Sequence, residues 1–96
     1  MKESKFQHEL IEDIKKRFKG CIVLKNDPNY IQGIPDLIVL YKNKWAALEV
    51  KVNAKAQIQP NQKYYIDKMD EMSYASFVCP EVKEEVLYEI QNLFES

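Results

Sequence analysis

Glycine, cysteine and histidine are scarce in this 96-residue chain, with two, two and one copies, beside four prolines. So little Gly and Pro leaves no linker, and there is no repeat or low-complexity tract, so one domain spanning residues 1–96 is expected. At 46% hydrophobic content the chain can bury a core without disulfide or metal staples. No run approaches the roughly 18 uninterrupted apolar residues of a membrane span. The N-terminal MKESKFQHEL is polar where a secretory signal would be apolar. These absences lead to the expectation of a soluble, cytoplasmic protein with no membrane partner and no small-molecule cofactor; whether it is a phage or a chromosomal protein stays open.

Cys21 and Cys79 each sit in an apolar β-like run, CIVL and ASFVC. No second Cys or His stands at zinc-ligand spacing, so both read as small core residues. His8, the sole histidine, gives a Ser-His-Asp triad one base and nothing else, and reads as a polar residue of the first helix. Charge is uneven. Residues 1–55 hold 11 Lys/Arg against 7 Asp/Glu and residues 56–96 hold 3 against 8, within a net charge of −1. One half of the chain could face phosphates and the other solvent, although solvated lysines without a partner explain the same asymmetry.

Phe6, Leu10, Ile11, Ile14 and Phe18 recur at three- and four-residue spacings, which predicts a helix over 4–18 ending before Gly20. CIVLK (21–25) reads as a strand and NDPNYIQG (26–33) as a loop. PDLIVLY (35–41) and KWAALEVKV (44–52) flank Lys42-Asn43 and read as a hairpin. Strands apolar on successive residues, such as Leu37-Ile38-Val39-Leu40, imply cover on both sheet faces. A second helix is expected from about Pro60, carrying Tyr65, Met69 and Met72, followed by a strand at 74–79. A third helix over 80–94 carries Val82, Val86, Ile90 and Leu93. The fold class is therefore α/β: a mixed four-stranded sheet flanked by helices in the order α-β-β-β-α-β-α.

Hairpin counting gathers three charged residues. A two-residue turn at Lys42-Asn43 pairs Tyr41 with Lys44 and places Asp36 opposite Glu49. A turn one residue later places Asp36 opposite Lys51 instead, with Glu49 diagonal to it. Either register puts Asp36, Glu49 and Lys51 on one sheet face. A three-residue loop would move Asp36 to the other face unless a bulge corrected it. Two carboxylates that close repel each other, and either Lys51 offsets them as a structural salt bridge or a hard divalent cation does.

GIPDLIVLYKNKWAALEVK (33–51) resembles the G-x-P-D followed by E-x-K signature of the virus-type replication-repair nucleases, the VRR-NUC branch of the PD-(D/E)XK superfamily. E-x-K alone carries no information, since the chain has three: Glu3-Ser4-Lys5, Glu49-Val50-Lys51 and Glu81-Val82-Lys83. Only the middle one follows a hairpin that opens on Asp. Glu3, at the opening of the first helix, and Gln62, opening the helix after E-x-K, are similar to further family positions, and the element order matches.

The resemblance implies a restriction-endonuclease-like core and a Mg²⁺- or Mn²⁺-dependent DNA endonuclease. It implies Asp36, Glu49 and the Val50 carbonyl as metal ligands, Glu3 as an outer or second-metal ligand, Lys51 positioning water, and Gln62 orienting Lys51 or DNA. Gly33, Lys42, Lys44, Lys55 and Lys63 are candidate DNA contacts. Branched DNA of the Holliday-junction kind and a homodimer are the implied substrate and assembly, with the C-terminal helix as the candidate dimer surface. A non-catalytic nucleic-acid or protein-binding module on the same fold is the competing expectation.

Overall fold

A computed structural model describes all residues 1–96. Helix α1 (Glu3–Arg17) leads to strands β1 (Ile22–Lys25), β2 (Leu37–Tyr41) and β3 (Lys44–Val50), helix α2 (Pro60–Met72), strand β4 (Ala75–Val78), a 3₁₀ turn (Pro80–Val82) and helix α3 (Lys83–Glu95). The expected α/β order is the observed one. The sheet runs β1-β2-β3-β4, antiparallel except for the parallel pair β3/β4, whose crossover is α2.

Phe6, Leu10, Ile11, Ile14 and Phe18 are all buried, as their spacing requires. Lys15, Lys16 and Arg17 in the last turn of α1 suit its negative dipole end. The apolar side of α1 meets one sheet face, where Leu37, Val39, Ala46, Leu48, Val50 and Val78 join Val86, Leu87, Ile90 and Phe94 of α3 in a single cluster. Burying each such Leu or Ile contributes roughly 1.5–3 kcal/mol. Phe94 stacks on Tyr41 at 5.0 Å and meets Phe18 edge-on at 5.1 Å, tying α3 to the hairpin and to α1. Helix α3 thus spends its apolar side on the core, and the residues it leaves exposed include Glu84, Glu85, Glu89 and Glu95.

The opposite face is covered by α2 alone, through Ile66 against Ala47 and Ala75, with Trp45, Met69 and Phe77 alongside. Its cover reaches β3 and β4 but not β1, where Ile22 and Leu24 remain 58% and 45% exposed. The expectation of cover on both faces therefore holds for half the sheet, because one crossover supplies only one helix to that side. Met72, read as part of the apolar stripe of α2, is exposed, and Ile66 takes the inward position. Cys79 is buried, Cys21 is partly so, and both are free thiols.

Register follows the first of the two counts. Tyr41 pairs with Lys44 and Leu37 with Leu48, so Lys42-Asn43 is a two-residue turn, with Lys42 at φ 56°. The loop between β1 and β2 is tied at its base, where the Asn26 backbone N–H donates to the Asp36 carbonyl at 2.9 Å and Asn26 Nδ2 donates to the Pro35 carbonyl at 2.7 Å. Gly33 lies in this loop at φ 89°, pressed so closely on the first turn of α2 that an added Cβ would stand 2.7 Å from Asn61 Cγ and 2.8 Å from its backbone carbon.

Gly20 is at φ 91° with open space around it, so the two glycines separate backbone strain from crowding. Gly20→Ala should cost about 1–2 kcal/mol for its left-handed conformation alone. Gly33→Ala should cost about 1 kcal/mol more than that, since the helix start must also move. Urea unfolding of the two variants measures the difference, and equal losses would mean that the Asn61 contact is unimportant.

Candidate active site

Extending the hairpin register one step beyond Leu37 and Leu48 sets Asp36 opposite Glu49. In a two-residue hairpin the closing pair exchanges hydrogen bonds and pairs alternate from there, so Asp36 and Glu49 form a non-hydrogen-bonded pair, the kind that brings side chains closest. Lys51, two residues beyond Glu49, shares its face. The expected trio thus converges on the face that α2 covers, at the end of the sheet where α2 begins.

Proline is what opens this end. The next ladder position places Pro35 opposite Val50, and proline has no N–H to give the Val50 carbonyl. The Val50 N–H, whose ladder acceptor would be the Pro35 carbonyl, donates instead to Asp36 Oδ2 at 2.8 Å, which fixes that carboxylate toward β3, and the Pro35 carbonyl accepts Asn26 Nδ2. Proline in the ladder therefore leaves a carbonyl oxygen without its strand partner, and the Asp36 side chain replaces the other bond of that pair. The hairpin count that found the acids could also have found the unpaired carbonyl, from Pro35 and Val50 alone.

Glu49 is the only buried charged residue in the chain, at 5% exposure. Burial, then the charge of Asp36 and contact with its carboxyl, push its pKa up to about 8; Lys51 pulls the other way, and Glu3 adds a smaller upward push. Lys51 does not pair with either acid. Its Nζ donates to Gln62 Oε1 at 2.8 Å and to the Gln57 carbonyl at 3.0 Å. Five ion pairs within 4 Å occur in the protein, and none includes Asp36, Glu49 or Lys51.

Gln62 connects these groups. Its Oε1 also accepts the Gln59 N–H at 2.9 Å at the start of α2, and its Nε2 reaches Glu49 Oε2 at 3.4 Å. Gln57, whose carbonyl aims Lys51, carries no sequence signal, because any residue supplies a carbonyl.

The other expected residues divide. Glu3 is exposed at the first residue of α1, near enough for its charge to act on Glu49. No three His, Cys, Asp or Glu side chains are gathered closely enough to hold a metal, so Glu3 stands apart from the acid pair. The close approach made by Gly33 is to Asn61. Lys55 and Lys63 are exposed on the connection into α2 and on its first turn, close in sequence to Lys51 and Gln62. Lys63 pairs with Asp67 at 2.7 Å.

Lys42 and Lys44 belong to the other end of the hairpin, on the order of 20 Å from Asp36 at about 3.3 Å per residue. There Lys42 Nζ lies 5.3 Å from the Tyr41 ring centroid, and Lys44 Nζ donates to Ser96 Oγ at 3.0 Å and to the Ser96 carbonyl. Neither borders the acid pair.

The site offers hard oxygen donors: two carboxylates and the Val50 carbonyl. Mg²⁺ and Mn²⁺ accept such a set, Mg²⁺ needing one or two carboxylates and filling its octahedron with water and phosphate. Asp36 and, once its proton is lost, Glu49 supply the charge that such an ion would balance. The larger of two surface hollows, about 500 Å³ and lined by Tyr30, Ile31, Ile34 and Ile38 among others, contains none of the trio.

A carboxyl whose pKa is raised by folding makes the folded state hold its proton more tightly than the unfolded chain does. Its contribution to stability is complete below the unfolded value of 4.5 and is lost as pH rises through about 8. In EDTA, the Tm of the wild type should therefore fall between pH 5 and 8 relative to Glu49→Gln, which cannot ionise there. Parallel Tm profiles for the two proteins would show that Glu49 does not carry the shifted proton. No family model and no curated protein matches the chain, so its reading rests on these residues and their geometry.

Proposed function

We propose that this protein is a metal-dependent DNA endonuclease that hydrolyses phosphodiester bonds in the manner of the PD-(D/E)XK nucleases, with Mg²⁺ or Mn²⁺. One observation carries the reading: Asp36 and Glu49 are held opposite each other with no cation of the chain within 4 Å of either. A fold that keeps two acids together at this cost is prepared for an external cation.

Asp36, Glu49 and the Val50 carbonyl would hold the ion, which supplies polarisation of the phosphodiester and a bound water of lowered pKa. The chain's own residues do the rest. The Val50 N–H keeps Asp36 turned inward. Glu49 gives up its proton as positive charge arrives. Lys51, aimed by Gln57 and Gln62, presents its remaining ammonium hydrogen to the attacking water or to the charge developing on phosphate. Gln62 holds Lys51 and Glu49 in one arrangement. Glu3 adds negative charge at the rim, and Lys55 and Lys63 are placed to meet flanking phosphates.

The competing role, a non-catalytic binding module with a structural ion-pair cluster, would call for Lys51 to neutralise an acid directly. Its ammonium is bonded to two amide oxygens instead. The resemblance of 33–51 to the VRR-NUC signature points to branched DNA as substrate and to a homodimer presenting two sites for symmetric cuts.

The test incubates a four-way junction, a linear duplex and a single strand with Mg²⁺, with Mn²⁺ or with EDTA. Cleavage is expected only with metal and fastest on the junction. Asp36→Ala, Glu49→Ala and Lys51→Ala should each lower the rate by roughly 10²–10³-fold, with unchanged circular dichroism. Cleavage that survives Asp36→Ala intact would remove the assigned site.

A further inference from the structure

Phosphodiester chemistry leaves one neighbouring feature unexplained. A hollow of about 200 Å³ opens beside Lys51, where the parallel strands β3 and β4 end, with Ile58, Phe77, Cys79 and Val82 among its mostly apolar walls. Open α/β sheets commonly take ligands outside the carboxyl ends of their strands. This hollow is well below the roughly 300–1,000 Å³ of drug-sized pockets, and suits a single ring system.

The chemistry of the walls selects the occupant. Lys51, the one cation on the walls, is bonded to Gln57 and Gln62 and keeps a single hydrogen for the phosphate at the acids. The apolar side chains cannot satisfy a second phosphate, and Glu81, which accepts the Ala54 N–H at 3.1 Å, sets a carboxylate by the connection that forms one wall. An uncharged, planar group is what remains. Phe77 stands beside Glu49 in the β3/β4 register and lends an aromatic surface. Asn53 at the rim accepts the Lys55 N–H through Oδ1 at 2.9 Å, while its Nδ2 makes no hydrogen bond within the chain and can donate to a base edge. Lys51 borders both the hollow and the acid pair, so a phosphate at the acids places the base of the same or the adjoining nucleotide within reach.

We propose that this hollow is a nucleobase subsite, receiving an unpaired base next to the scissile phosphate and stacking it on Phe77. The subsite rests on the endonuclease reading and sharpens it. The preferred DNA has an unpaired nucleotide at the cut, as at a branch point, because a paired base must first leave its stack whereas an unpaired one need not.

The decisive change is made in the DNA, so protein folding does not enter. A four-way junction with its cut site mapped is rebuilt with 2-aminopurine, and separately with an abasic residue, at each flanking position. It is offered to the full chain with Ca²⁺ for binding and with Mg²⁺ for cleavage. At one flanking position 2-aminopurine fluorescence should change at least twofold on binding, and the abasic residue should lower kcat/KM about tenfold, the scale of one base–aromatic stack. Ile58→Trp, a change at a half-exposed side chain, should fill the hollow and abolish that sensitivity, and Phe77→Leu should weaken it. Cleavage within twofold at every abasic position, with no fluorescence change, overturns the subsite and leaves the endonuclease standing. If the chain neither binds nor cuts any of these DNAs, the endonuclease reading fails and takes the subsite with it.

Discussion

The opposition of Asp36 and Glu49 is the constraint around which the rest of this protein is arranged. Like charges directly across a strand pair destabilise the pairing, and burial makes the repulsion worse by removing water. The chain relieves it only partly, by holding a proton on Glu49 and by turning Asp36 toward the Val50 N–H. Lys51, the residue placed to neutralise the pair, is tied to Gln57 and Gln62.

Packing on the opposite face of the sheet holds such a site together. Leu37 and Leu48, the pair next to the acids, are fully buried beneath α1 and α3, and a one-residue slip of a strand would turn its leucine out of that core onto the α2 face. The apolar pairing thereby forces the acidic one. Pro35 ends the ladder, Asn26 anchors the loop that precedes it, and Gly33 docks that loop on α2, the helix that delivers Gln62. Each of these residues acts on the acids through backbone placement.

The face bearing the site is unequally covered. Helix α2 shields β3 and β4, whereas Ile22 and Leu24 on β1 are left open. The site lies at the margin of its only covering helix, and α1 and α3 take no part in covering it. Asp13, Arg17, Lys83 and Glu84 join those two helices by ion pairs on the far side, and burial of that network matters less than the packing of Phe18, Tyr41 and Phe94 beneath it.

Much of this was legible in the residues themselves. Helix α1 follows from apolar spacing, and the hairpin count from Lys42-Asn43 brought Asp36, Glu49 and Lys51 to one face, because strand alternation and a two-residue turn are local rules. Local rules do not report which face a single crossover helix leaves bare, so the exposure of Ile22, Leu24 and Met72 was hidden. Nor do they report distance along a strand from a site: Lys42 and Lys44, candidate DNA contacts, lie at the other end of the hairpin from Asp36. Whether Lys51 neutralises an acid or is held by amides depends on where the 53–61 connection and α2 settle. Only packing of the whole chain decides that, since the Gln57 carbonyl meets Lys51 through tertiary placement and not through any pattern in the sequence.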